Sequence, residues 1–330
     1  MRQRHWIRNA LALLAAAALP LMQPAPARAA AENWPGDRVV RLVVPASAGG
    51  SLDTLARPLA QAMSELSGGK FIVENRGGAA GMIGADQVAK AAPDGYTFLF
   101  GAVHHMILPA VYKTPYNTET DLLPIGLFAI VPNVVIVRAD APYNTLQELI
   151  EAARQQPGAL NYGTGGLGGL HHLSTEMFKQ KAGIDMVPVH YKGSAPALSD
   201  LLSGQIQLMF ETMPAALAQI RAGTLKALAV TSSERSPALP EVPTLQEAGI
   251  PDMAVTTWYG FFAPAGLPDA IAEKMRKLMQ DALATERIRA LWRDYGAVTR
   301  GEGSDDFRGF ALAELRRWGE VARQVGLKPE

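Results

Sequence analysis

Asn161-Tyr162-Gly163-Thr164-Gly165-Gly166-Leu167-Gly168-Gly169-Leu170-His171-His172 ends a strand, turns through glycines and opens a helix. Leu170, Leu173, Met177 and Phe178 then recur at helical spacing. That order aims backbone N–H groups and the positive end of a helix dipole at one spot, which is a site for an anion. The spacing Gly163-x-Gly165-x-x-Gly168 also matches the dinucleotide fingerprint. A nicotinamide site wants an acid at the end of the next strand. Here that strand ends His190-Tyr191-Lys192, and the nearest acid, Asp185, precedes it. The loop therefore reads as a seat for a carboxylate or phosphate, or as a tight turn.

The same order of elements occurs earlier. Arg38 to Pro45 (RVVRLVVP) is a β-branched run between Pro35-Gly36 and the loop Ala46-Ser47-Ala48-Gly49-Gly50-Ser51, and reads as a buried strand. Beyond it, Leu52, Leu55, Ala56, Leu59, Ala60, Met63 and Leu66 mark one helix face. Ser51 suits the N-cap, Asp53 the first turn, and Gly68-Gly69 the stop. A strand at Phe71 to Asn75, a Gly-rich turn, a small-residue helix through Ala91 and a strand at Tyr96 to Gly101 follow. From Asn161 to Phe210 the order repeats without obvious identity: strand, glycine loop, helix, strand Met186 to Tyr191, helix Ala195 to Leu202, strand Ile206 to Phe210. Two like-built units predict two Rossmann-like α/β domains, each loop lying at the carboxyl end of its first strand, where open parallel sheets bind ligands. Domains that face each other would put both loops on one central cleft.

Asn133 to Val137 and Leu225 to Thr231 read as strands, and Thr145 to Gln155 as a helix. After the Pro-rich loop Ser236 to Pro243, the chain re-enters a strand at Trp258 to Ala263. Two amphipathic helices close it, one marked by Ile271, Met275, Leu278, Met279 and Ala282, the other by Phe307, Phe310, Ala311, Trp318, Val321 and Val325. The first unit lacks a strand that the end of the chain supplies. This predicts a discontinuous domain, 30–132 with 253–330, carrying an inserted domain at 133–252. Two crossovers between them suit hinge closure.

Residues 1–29 read as a secretory leader: Arg2, Arg4 and Arg8, an apolar core from Ala10 to Met22, and the small-x-small site Ala27-Arg28-Ala29. A membrane anchor needs about 20 apolar residues, and Pro20, Gln23, Pro24 and Pro26 interrupt the run. Cleavage near Ala29 predicts an exported protein, periplasmic in a bacterium, with no stable membrane insertion. The chain has 0 cysteines, which excludes disulfides, thiolate metal sites, thiol catalysis and lipid attachment at an N-terminal Cys. The leader holds four arginines and no acid, so the remainder is mildly acidic, and nothing points to nucleic acid. With 330 residues, 48% of them hydrophobic, two cores are within reach.

No catalytic constellation emerges: there is no Gly-x-Ser-x-Gly elbow, no Walker loop and no His-Glu-x-x-His. His104-His105 and His171-His172 invite a metal, with Glu176 four residues after His172. Adjacent histidines on a helix diverge, so each pair offers one ligand, and locally hydrogen-bonded histidines are the plainer reading. No metal or cofactor is expected. His104 follows the strand Tyr96 to Gly101 at the cleft edge and is a candidate lining residue. Glu211, at the end of its strand, and Trp258 are two more; a solvated carboxylate and a packing aromatic are their plainer readings.

With those residues in view, the chain resembles the substrate-binding proteins of tripartite tricarboxylate transporters, the Bug receptor family, over essentially all of its length after the leader. The markers, in order, are Arg41 to Pro45 with Gly49-Gly50-x-x-Asp53, Val73-Glu74-Asn75-Arg76 with Gly77 and Gly81, Ala91 to Thr97, Leu160 to Gly163, and Tyr191-Lys192-Gly193. Ala227 to Thr231, Val242-Pro243-Thr244 with Glu247-Ala248-Gly249, and Ala263 to Gly266 complete them. The resemblance implies a periplasmic binding protein of Venus-flytrap, type II-like build. Such a receptor closes on a small organic carboxylate or dicarboxylate and delivers it to a two-subunit membrane permease; a monomer is expected.

Carried over by position, the first jaw is Ser47, Ala48, Gly49, Gly50, Ser51 and Asp53. The second is Thr164, Gly165, Gly166, Gly168, Gly169 and His171, with Ala102, Val103, His104, Glu211 and Trp258 as walls. Against the family pattern, Ala46-Ser47 stands where many members have Phe-Pro, Gly169 where a Ser is usual, Glu211 where some carry an Asp, and His104 where the residue is typically small or polar. Rival readings are an exported α/β enzyme acting on a small carboxylate, and a ligand-loaded partner of a sensor kinase.

Overall fold

A computed structural model describes residues 32–46, 48–49, 51–298 and 304–329. The expected leader lies outside them, as do Ser47 and Gly50 of the first loop. The chain divides into two units, Met1–Trp34 and Pro35–Glu330, and the architecture below is that of the second.

Strand β1 (Val39–Val44) is the expected buried run; Val40, Leu42, Val43 and Val44 are each 0% exposed. It lies between two parallel neighbours, β2 (Lys70–Asn75) and β3 (Thr97–Ala102). Helix α1 (Ser51–Ser67) crosses from β1 to β2, buries Leu55, Ala56, Leu59, Ala60 and Met63, and gives way at Gly68. Each such side chain withdrawn from water contributes about 1.5–3 kcal/mol for the larger ones, which is what fixes the helix on the sheet. Helices α2 (Met82–Ala89) and α3 (His104–Val111) flank β3.

Strand β4 (Leu122–Arg138) is the spine. Its first part pairs antiparallel with β9 (Thr256–Pro264), which in turn pairs antiparallel with β3. From Asn133 onward its partners are β7 (Leu208–Thr212) on one side and β8 (Leu225–Val230) on the other. β5 (Asn161–Thr164) runs parallel to β7 and to the edge strand β6 (Val187–His190). The path across the sheet is β2-β1-β3-β9-β4-β7-β5-β6, with β8 on β4. Only the strand at 133–137 was legible in the sequence. Pro124, Gly126 and Pro132 read as breakers, and the sheet accommodates the first two by register shifts at Pro124/Gly126 and Leu127/Ala129.

Alternation along β4 divides the packing. Val135 and Val137 face a core with α4 (Leu146–Gln155) and α5 (Leu170–Ala182), while Val134 and Ile136 face one with α6 (Ser194–Ser203) and α7 (Met213–Arg221). Thr145 caps α4 by accepting the Glu148 N–H, a contact worth about 1 kcal/mol. On the β1 side, Phe98, Phe100, Phe128 and Phe261 are buried, three of them in mutual ring contact. Three helices close the chain where two were expected: α8 (Asp269–Ala284), α9 (Glu286–Asp294) and α10 (Ser304–Gln324). Helices α3 and α7 also escaped the sequence reading. Both are short and carry a proline, Pro109 inside α3 and Pro214 at the start of α7, where its missing N–H costs nothing.

Candidate functional site

Both glycine loops lie at the carboxyl ends of parallel strands, one between β1 and α1, the other between β5 and α5. Each is braced by the same local device. In the first, the Gly49 N–H donates to Asp53 Oδ2 at 2.9 Å, four residues on. In the second, the Gly168 N–H donates to His172 Nδ1 at 3.0 Å, again four residues on. An acceptor in the first helical turn thus reaches back to pin the loop glycine.

Asp53, expected among the first jaw's residues, is buried and engaged by neighbouring side chains and the loop backbone. It is 4% exposed and accepts from Arg57 Nε at 2.8 Å, from Asn75 Nδ2 at 2.9 Å and from Gly49. Burial by itself raises its pKa; those hydrogen bonds outweigh it and hold the carboxyl below the ordinary value. The group is an anion already engaged by three donors, which braces the loop. Ala48 and Gly49 form the exposed tip of that jaw.

In the second loop, Thr164 is buried and its hydroxyl donates to the Gly166 carbonyl at 3.1 Å and lies 3.0 Å from His190 Nδ1. Gly165 is closely packed: a Cβ there would stand 3.2 Å from the Ser194 nitrogen. Gly169 is the N-cap of α5 with φ −69 and ψ 167, and no side chain caps the helix. The first-turn N–H groups of α5 are therefore left to a ligand or to water. Gly169→Ser fits this geometry, since its Cβ would meet only the Gly166 carbonyl at 3.5 Å. The variant is expected to keep or raise the melting temperature slightly, because Ser exceeds Gly as an N-cap by a few tenths of a kcal/mol, roughly. It is also expected to change affinity for the best-bound acid at least threefold, because its hydroxyl enters the anion seat. Calorimetry with unchanged binding would place Gly169 outside the seat.

The start of α1 and the end of β7 come together beside the first loop. Ser51 Oγ and Thr212 Oγ1 share a hydrogen bond of 3.0 Å. Tyr259 is buried and bonds to Ser51, and burial followed by the charge of Glu211 pushes its phenol upward. Glu211 Oε1 accepts the Thr212 N–H at 2.7 Å and its hydroxyl at 3.0 Å. His171 Nδ1 stands 4.0 Å from that oxygen, and His171 Nε2 stands 3.4 Å from Asn133 Oδ1, which accepts from Thr257 at 2.7 Å. Farther along the second loop, the Tyr112 hydroxyl donates to the Leu167 carbonyl at 3.0 Å. A polar cluster thus joins Ser51, Thr212, Tyr259, Glu211, His171 and Asn133. Of these the sequence singled out Ser51, Glu211 and His171.

The remaining wall candidates separate. His104 opens α3, half-buried, its ring 3.9 Å from that of His105 and its Nε2 over the Gly81 turn. Burial, then the neighbouring His105, lowers the His104 pKa well below its ordinary value, so the ring brings no positive charge. Ala102 is buried, and its backbone contacts His105 Nδ1 at 3.1 Å. Val103 and Trp258 are core residues. Val103 packs in the cluster around Leu99 and Phe262. The Trp258 ring meets Phe307 and Phe310, and its N–H donates to Glu314 Oε2, which also accepts from Trp318. These contacts fit the packing reading of Trp258. Among the described residues there is no group of three or more metal-ligating side chains.

Comparison with known proteins bears on the family and the fold. The chain matches the profile of the tripartite tricarboxylate transporter family receptor (TctC) over residues 55–327. It is similar to the periplasmic binding protein BugD, at 35% identity and TM-score 0.83, covering 89% of this chain and 99% of that one. Rpa4515 of R. palustris, solved with adipate, is 37% identical with TM-score 0.85, covering 90% of this chain and 100% of that one. MatC of Rhodopseudomonas palustris, solved with bound malate, is 32% identical with TM-score 0.80, covering 86% and 98%. The mixed α/β fold is that of periplasmic binding proteins, and the chain belongs to the tripartite tricarboxylate transporter receptor family.

Proposed function

We propose that this protein is a periplasmic receptor which captures a small organic carboxylate or dicarboxylate between its two loops and delivers it to a two-subunit membrane permease. As a member of a receptor family, it binds and does not catalyse. The observation that carries the reading is the uncapped N-terminus of α5, held by the His172 brace across from a first loop braced in the same way. Neutral backbone donors preorganised in this manner hold a carboxylate through charge-assisted hydrogen bonds, without a lysine or arginine cluster. Adipate and malate in two relatives support the ligand class.

In this reading, residues 30–132 with 253–330 form one monomeric receptor's first domain and 133–252 its second. β4 and the connection from β8 to β9 act as the hinge. The change of partners along β4 at Pro132 and Asn133 supports that division, and the Ser51–Thr212 bond is then a contact of the closed state. Removal of the leader puts the protein in the periplasm; mass spectrometry of the exported chain tests the cut near Ala29.

The direct test is a thermal-shift screen of mono-, di- and tricarboxylates, amino acids and aromatic acids. Saturable stabilisation by at least one carboxylate is expected, about 2.7 kcal/mol at a hundredfold excess over Kd. Stabilisation by none would end the carboxylate reading. Growth on the ligand that fails when either the receptor or the permease is deleted tests delivery; growth unaffected by the permease favours the signalling alternative.

A further inference from the structure

The two loop braces differ in the chemistry of the acceptor. In the first, the Gly49 N–H is held by Asp53, a carboxylate kept below its ordinary value and therefore anionic through the neutral and mildly acid range. In the second, the Gly168 N–H is held by His172 Nδ1 at 3.0 Å. A backbone N–H only donates, so Nδ1 carries a lone pair and the ring proton sits on Nε2. A proton added to Nδ1 would set two donors face to face, and the brace would turn into a repulsion. The groups around the buried ring come from three elements. On β6, the His190 ring stands edge-on at 4.7 Å, and its Nδ1 lies 3.0 Å from the Thr164 hydroxyl at the start of the same loop. On β5, the Tyr162 ring stacks at 6.4 Å and its hydroxyl donates to Glu176. On α5 itself, Glu176 also accepts from Lys179 at 2.9 Å. Glu176 favours the imidazolium; burial above all, then His190 and Lys179, oppose it.

We infer that His172 is a proton-operated catch on the second loop: the neutral imidazole holds the loop closed on its contents, and protonation frees the loop and speeds release of a bound acid. The first loop, braced by a carboxylate, does not respond. Release of ligand rests on the carboxylate reading above, whereas release of the loop stands on the Gly168–His172 geometry alone. The sign follows from linkage. The braced ring takes its proton near 4 and a ring freed from the brace near the ordinary 6.5, so the freed form binds more protons between those values and gains population as the pH falls.

Amide hydrogen exchange followed by NMR at pH 7.5 and 5.5, with each rate divided by that of a free peptide at the same pH, tests the catch without any ligand. At pH 7.5 the Gly168 amide is expected to be protected, though less than the amides of β1, because the loop opens without the whole fold. Its protection should fall roughly tenfold by pH 5.5, while that of Gly49 changes less than twofold. His172→Asn places a side-chain oxygen near the position of Nδ1 and does not titrate, so it should abolish the fall at Gly168. Stopped-flow dissociation of malate and of adipate should quicken by about the same tenfold in the wild type and stay level in the variant; titration of the acids themselves is common to both proteins. Gly168 protection that is level with pH, absent at pH 7.5, or equal to that of β1 overturns the inference, as does dissociation that stays level while exchange rises. If the variant fails to fold, the contrast between Gly168 and Gly49 in the wild type decides. If neither acid binds, exchange alone decides the catch, and the wider screen decides the carboxylate reading.

Discussion

Lowering the pH from 7.5 to 4.5 should depress the melting temperature by about 8 °C, with the loss beginning near pH 6.5. His105 and His172 are the cause: both are buried, and burial lowers each from 6.5 to about 4. The unfolded chain takes up these protons near 6.5 and the folded chain only near 4. Between those values the unfolded state binds more protons, so stability rises with pH; it is complete above the upper value and stops declining below the lower one. Each histidine contributes about 3 kcal/mol across the window, and the pair about 5 kcal/mol by pH 4.5.

Around His172, His190 and Lys179 oppose protonation and Glu176 favours it; around His105, the Ala102 backbone favours it. His104 and His190 are lowered by burial too and act in the same direction. Asp53, held below its ordinary 3.8, loses its share only at still lower pH. Calorimetric melts at half-unit steps check this. His172→Gln and His105→Gln should each be less stable at pH 7.5 and show a flatter pH dependence. A melting temperature that stays level from pH 7.5 to 4.5 in the wild type would mean that these imidazoles are not buried as neutral groups.

Gly168→Ala is expected to remove about 2–4 kcal/mol of stability and at least a tenfold factor of ligand affinity. Two effects add. The residue sits at φ +68, a conformation that costs an L side chain roughly 1–2 kcal/mol. Its Cβ would also lie 2.3 Å from Val111 Cγ1 and 2.9 Å from Val111 Cβ, a branched side chain with no soft end to yield. Relieving that overlap pushes α3 off the loop, which breaks the Tyr112–Leu167 bond and loosens the Gly168–His172 brace. Val111→Ala in the same protein should restore part of the loss, since the coupling of two residues in contact is what a double-mutant cycle measures. Gly183→Ala is the control. It has φ +62 and open space around its Cβ, so it should show the backbone cost alone and leave binding intact. Absence of any rescue by Val111→Ala would assign the whole effect to backbone strain.

Much of this layout was legible in the chain. Both glycine loops, their strands and their helices followed from β-branched runs, apolar periodicity and stop signals, all of which act within about ten residues. The misses have a common physical origin. The strand from Leu122 to Pro132 contains two prolines and a glycine, and only its pairing with β9 makes those breakers tolerable. Helices α3 and α7 are too short for periodicity to register, and burial against the sheet rather than propensity holds them. At the site, residue type alone did not separate a carboxylate with an open oxygen from a bracing one. Asp53 and Glu211 both stand near loop helices, yet the first is surrounded by Arg57, Asn75 and Gly49 while the second keeps an unpaired oxygen. One signal for a brace was available in retrospect: an acceptor four residues after a loop glycine, present as Gly49 with Asp53 and as Gly168 with His172.

The sequence by itself determined that the chain is α/β, that it carries two glycine loops each set between a strand and a helix, and which family it resembles, because these rest on local backbone chemistry and ordered motifs. Tertiary structure alone decided which side chains the two loops share. Thr212, Tyr259 and Asn133 carry no motif, and they come together only because β7, β9 and β4 converge there. Contacts between residues more than a hundred positions apart leave no period or spacing in the chain, so packing settles them and the sequence does not display them.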